Sequence, residues 1–134
     1  MTRIASFVCC LALNQDDNQI KIVNPINTVK LKRLPNNFSF IINFTLVDFD
    51  ANTENLLKVT IKDPSDKIVF DSGELPYPKG YINDNKTTNS INIALNLSNL
   101  MIESFGEYNI FIKSHEKQID SFPLYFEEDG SYEQ

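Results

Sequence analysis

The run Phe38-Ser39-Phe40-Ile41-Ile42-Asn43-Phe44-Thr45-Leu46 places a large apolar side chain at every second position. On an extended chain, alternate side chains point to opposite faces, so the run buries one row and leaves the other more polar. The same period returns at Leu57, Val59 and Ile61, at Ile91, Ile93, Leu95 and Leu97, and at Tyr108, Ile110 and Ile112. No stretch carries the 3.6-residue period of a long amphipathic helix. The pattern predicts an all-β protein.

Turn chemistry divides the chain. Asp63-Pro64-Ser65-Asp66 has Asp first and Pro second, as a type I turn requires, and folds residues 68–72 back as a hairpin partner. Pro25 and Pro123 have no backbone N–H, so each marks a sheet edge, a bend or a bulge. Residues 4–13 form a continuous apolar run of strand length, the pattern of a central strand covered on both faces. Residues 98–105 fit one helical turn or a corner crossing between sheets. About seven to nine short strands result, with turns every ten residues or so. That spacing predicts an antiparallel two-sheet sandwich, immunoglobulin-like or related.

The chain of 134 residues is one domain by length, with 42% hydrophobic and 22% charged residues, which is the globular range. The formal net charge is −6, and the tail from Glu127 holds four of the eighteen acids and no base. The rest sets fourteen acids against twelve bases, so it is nearly neutral and lacks the basic field of a non-specific nucleic-acid binder. The division expected is one sandwich over 1–126 and a flexible acidic tail over 127–134. Cys9 and Cys10 are adjacent and would face opposite sides of a strand, so a disulfide between them is not expected and a reducing, cytoplasmic location fits. Residues 4–13 are too short to span a bilayer and lead into Leu13-Asn14-Gln15, which offers no small-residue cleavage site.

Two stretches carry a resemblance. One is residues 4–11 (IASFVCCL), a polar turn, and Ile20-Lys21-Ile22-Val23-Asn24. The other is Phe105-Gly106-Glu107-Tyr108-Asn109-Ile110-Phe111, with Ile61-Lys62-Asp63-Pro64 between them. Together they resemble an uncharacterised bacterial domain-of-unknown-function family of short β-sandwich proteins. The resemblance implies a fold and no activity. Gly106-Glu107-Tyr108 is also similar to the tyrosine corner of immunoglobulin-type sandwiches, where a Tyr hydroxyl bonds back to nearby backbone; an ordinary inward-facing aromatic is the alternative.

Candidate sites are few. Asp48, Asp50, Asn52 and Glu54 set oxygen side chains two apart, as calcium loops do. The EF-hand version also needs glycine sixth and an acid twelfth, where this chain has Thr53 and Val59. That leaves a weak calcium candidate beside the simpler reading of a solvated acidic loop. His115, the only histidine, sits in a predicted hairpin turn, and no nucleophile elbow, phosphate loop or zinc motif accompanies it. Lys30, Lys32 and Arg33 read as guards of a sheet edge. Pro76, Tyr77, Pro78 and Tyr81 lie in the longest connection, where two tyrosines framed by prolines suit a protein contact.

The function expected is a non-enzymatic, cytoplasmic interaction or structural module of a bacterial cell, with a protein partner meeting the loop of Tyr77 and Tyr81. No nucleic acid, membrane, metal or other cofactor is expected, and oligomeric state is left open. Two alternatives stand beside it. One is a phage or mobile-element protein, either a virion sandwich or an inhibitor of a host factor. The other is a small-ligand-binding or hydrolytic sandwich.

Overall fold

A computed structural model describes residues 2–16, 19–49, 55–77, 90–115 and 117–130. Its ten strands are β1 (Arg3–Asp16), β2 (Gln19–Ile26), β3 (Thr28–Leu31), β4 (Asn36–Val47), β5 (Asn55–Lys62), β6 (Ile68–Asp71), β7 (Leu75–Tyr77), β8 (Ser90–Ile102), β9 (Gly106–Ser114) and β10 (Lys117–Glu128). They form a four-stranded sheet in the order β2-β1-β4-β8 and a second sheet in the order β3-β10-β9-β5-β6, where β7 also pairs with β5. The expected two-sheet sandwich is the observed one, with ten strands where seven to nine were expected.

The alternating rows supply the core. Phe40, Ile42, Phe44 and Leu46 of β4 face Val59 and Ile61 of β5, Tyr108, Ile110 and Ile112 of β9, and Leu124 and Phe126 of β10, all essentially without exposure. Burying each such side chain stabilises by about 1.5–3 kcal/mol. Between the sheets Phe7 of β1 stacks on Phe122 of β10, with centroids 3.9 Å apart and planes 5° from parallel.

The predicted turn at Asp63 closes the β5–β6 hairpin. Asp66 N–H donates to Asp63 O at 2.9 Å, and the Asp63 carboxylate accepts from the N–H groups of Ser65 and Lys67. Tyr108 makes the corner predicted for it: its hydroxyl donates to Ser104 O at 2.8 Å while the ring is 1% exposed against Phe126.

Four expectations need correction. First, β1 is central, between β2 and β4, but it is not covered along its whole length: Cys9 and Cys10, on opposite faces, are buried, while Ala5, Ser6 and Leu11 are exposed. A continuous apolar run here does not mean that both faces are covered along its length. Second, residues 98–102 form neither a helical turn nor the crossing, which falls to residues 103–105 between β8 of the first sheet and β9 of the second. β8 continues to Ile102 through a bulge at Asn99, which has φ 59° and donates its N–H to Ser39 Oγ at 2.9 Å, and beyond the bulge Leu100 and Ile102 are buried.

Third, the pairing is not antiparallel throughout, since β3 runs parallel to β10. The chain passes from the edge of one sheet to the edge of the other through the single residue Asn27, whose carbonyl accepts Tyr125 N–H at 2.9 Å. Fourth, Glu127 and Glu128 belong to β10. They pair with Lys30 and Leu31, and Asp129 N–H donates to Leu31 O, so Lys30 stands opposite Glu127 with favourable sign. Any tail begins beyond them, and residues 131–134 lie outside the described residues.

Pro123 lies where only β9 flanks β10, because β3 begins to pair at Tyr125. Its missing N–H leaves no ladder bond unmade on the β3 side.

Candidate functional site

Chemical groups converge at the end of the sandwich near the β9–β10 turn. A groove of about 600 Å³ opens between the sheets there, lined by Arg3, Ile4, Ser114, His115, Lys117 and Asp120 among others. His115 occupies the turn with φ 53°, is exposed, and donates its backbone N–H to Leu56 O. It also borders a smaller recess of about 100 Å³ with Leu56, Lys58, Glu74 and Lys113. Arg3 turns from this groove to Asp48, donating from Nε to Oδ2 at 2.8 Å. The lining mixes cations, an acid and apolar groups without aiming several at one point.

The acidic loop is represented by Asp48 alone, with φ 61° and its carboxylate held by Arg3; Asp50, Asn52 and Glu54 lie outside the described residues. Among the described residues no three His, Cys, Asp or Glu side chains gather as metal ligands would. In the tyrosine loop, Pro76 is exposed on β7 opposite Leu56, and Tyr77 pairs through its backbone with Asn55. Pro78 and Tyr81 lie outside the described residues.

Cys9 and Cys10 are free, buried thiols. Desolvation, then the neighbouring Cys10, pushes the Cys9 thiol up to about 12. Burial raises Cys10 against a hydrogen bond with Ala12 backbone that lowers it. Both stay protonated at neutral pH, which removes nucleophilic and metal-binding character.

The most distinctive surface is the edge made by β8. On one side β8 pairs with β4, and among the described strands none pairs with the other side. Its thirteen residues contain no charge, no proline and no glycine, and β4 beside it is equally free of charge. Every other described edge strand carries a residue that discourages further pairing: Lys21 and Pro25 on β2, Lys30 on β3, Asp71 on β6 and Pro76 on β7. The bulge at Asn99 bends the far end of β8, leaving residues 90–97 as the straight part.

The two faces of that stretch differ in character. On the inner face Ile91, Ile93 and Leu95 remain half-buried, because the second sheet does not extend fully over them. On the outer face Asn92 is held by Asn43, which donates from Nδ2 to Asn92 Oδ1 at 2.8 Å, and by Thr45, whose Oγ1 accepts from Asn92 Nδ2 at 3.1 Å. Asn92 and Ala94 share an open groove of about 350 Å³ with Leu13 and Ile20 of the β1–β2 hairpin, where Ile20 is 44% exposed. The alternation argument did not single out this edge. The signal available was the unbroken absence of charge over residues 36–47 and 90–102 in a chain with 22% charged residues.

With this geometry, comparison with known proteins places the chain. A family model described as a family of unknown function (DUF6941) matches residues 4–127. The chain belongs to that family. No curated protein sequence matches it. Among solved structures, it is similar to the alkylpurine DNA glycosylase AlkC of Pseudomonas fluorescens, solved bound to DNA with an abasic site analogue. That match has 9% identity and a TM-score of 0.56, covering 94% of this chain and 30% of the glycosylase. A β-glucosidase from Listeria innocua in complex with glucose matches with 10% identity and a TM-score of 0.50, covering 95% and 16%. An immunoglobulin-like protein from Pseudomonas aeruginosa matches with 10% identity and a TM-score of 0.48, covering 94% and 96%. The chain thus spans less than a third of the glycosylase and about a sixth of the glucosidase. At these identities the likeness is one of fold. The DUF6941 chain is an all-β, two-sheet sandwich.

Proposed function

We propose that this DUF6941 protein is a non-enzymatic, cytoplasmic interaction module that binds by accepting an added strand along β8. The observation that carries the reading is the edge itself: β8 alone among the described edge strands has no lysine, acid or proline to repel a neighbour. Strand addition takes its affinity from main-chain hydrogen bonds and its selectivity from alternate side chains, here Ile91, Ile93 and Leu95 on one face and Asn92, Ala94 and Asn96 on the other. The connection with Pro76, Tyr77, Pro78 and Tyr81 serves as a second, peripheral contact in this reading.

The double variant Ala94→Lys/Asn96→Lys tests it, since both positions are exposed and each added charge guards the edge. Proteins captured by the tagged wild-type chain from its native host are expected to be lost with the variant, while the circular dichroism spectrum and melting curve stay unchanged. An identical captured set from both forms would end the proposal. Replacing Tyr77 and Tyr81 with serine is expected to weaken capture without abolishing it.

A further inference from the structure

We infer that the strand accepted by β8 is the β8 of a second copy of this chain, so that two four-stranded sheets join edge to edge across a two-fold axis. The inference rests on the edge-binding reading above and names its partner.

Three observations converge on self-pairing. The first is charge. The chain carries −6, four of it from Glu127 onward, and the β4–β8 side contributes no charge of either sign. A neutral strand meets its own copy without Coulomb cost, whereas a basic or acidic partner gains nothing there.

The second is register. A two-fold axis through Ala94 sets Ile93 opposite Leu95, Ile91 opposite Leu97 and Asn92 opposite Asn96. Apolar side chains then meet apolar ones on the inner face, and polar meet polar on the outer. The residue that meets itself on the axis is the small Ala94. Such an isologous contact closes on itself and leaves no β8 edge for further addition.

The third is the unfinished inner row. Ile91, Ile93 and Leu95 are half-buried in one copy, and the same three residues of a second copy would cover them. The groove of Leu13, Ile20, Asn92 and Ala94 lies beside the axis, so its apolar wall is drawn into the same contact.

Sedimentation of the full chain over a concentration series tests this. The expected mass rises from 15.4 kDa to twice that value, and Ala94→Lys/Asn96→Lys is expected to weaken association at least about tenfold, while Ala94→Ser leaves it intact. Cross-linking provides a test that survives misfolding of the lysine variant. Directly opposed residues on antiparallel strands have Cβ atoms about 5 Å apart, so an Ala94→Cys chain is expected to form an intermolecular disulfide under mild oxidation. An Asn37→Cys chain, altered at an exposed position on β4, is expected not to. A chain that stays at 15.4 kDa at every concentration overturns the inference, as does a dimer that the lysine pair leaves unchanged or that Ala94→Cys fails to link. If the chain is monomeric and the lysine pair still abolishes capture of host proteins, the edge-binding reading stands and the two-fold partner does not.

Discussion

Gly106 lies so close beneath Pro64 that a Cβ on it would sit 2.8 Å from the proline Cγ and 3.2 Å from its Cβ. The glycine opens β9 with φ +135°, a conformation that L side chains rarely adopt, and the proline is the second residue of the β5–β6 turn. The resemblance motif therefore joins two places 42 positions apart in the sequence: the turn at Asp63-Pro64 and the corner at Phe105-Gly106.

Gly106→Ala is expected to destabilise the fold by about 2–4 kcal/mol, from backbone strain and overlap together. Urea denaturation followed by circular dichroism measures it. Adding Pro64→Ala is expected to recover only the overlap with the proline Cγ, since the 3.2 Å contact with Cβ and the strain at φ +135° persist.

Tyr108→Phe removes the hydroxyl that donates to Ser104 O at 2.8 Å and leaves the ring in place. A loss of about 1–2 kcal/mol in the same assay is expected. A loss below about 0.3 kcal/mol would mean that the corner is held by ring packing against Phe126 alone.

The thiols give a pH signature. With Cys9 at about 12 in the native state and 9.0 as its ordinary value, the folded chain keeps a proton that the unfolded chain releases between those limits. Stability is undiminished below pH 9 and falls as pH rises from 9 towards 12, and Cys9→Ala is expected to flatten that fall. At pH 8 a thiol reagent is expected to label neither cysteine in the native protein and both in urea.

The Asp71 carboxyl is held below its ordinary 3.8, chiefly by the Gly73 backbone N–H and with help from Lys58. Its contribution is present above pH 3.8 and is lost as pH falls through the lower native value. Asp71→Asn is expected to leave stability near neutral pH almost unchanged, because the group is exposed, and to shift the acid limb of the curve slightly.

Much of this architecture was legible because alternation is a local code. The row Phe40, Ile42, Phe44 and Leu46 announces its own burial, and Asp63-Pro64 announces its turn. What eluded the sequence is non-local. Residues 4–13 are apolar on both faces, and only the elements packed around them decide which positions are covered. The bulge at Asn99 depends on Ser39, sixty positions away, so residues 98–102 look broken when read alone. Glu127 and Glu128 look like solvated tail until Lys30 and Leu31 are brought alongside them. The β8 edge lay deeper still, since a strand becomes an edge only through where its neighbours stop.

The placement of β10 between β3 and β9 has a consequence for truncated chains. In sequence β10 follows every other described member of the sheet it enters, and residues 125–128 pair with a strand that lies nearly a hundred residues earlier. A product truncated before residue 124 would therefore leave an empty slot between β3 and β9, ready to recruit a stray strand.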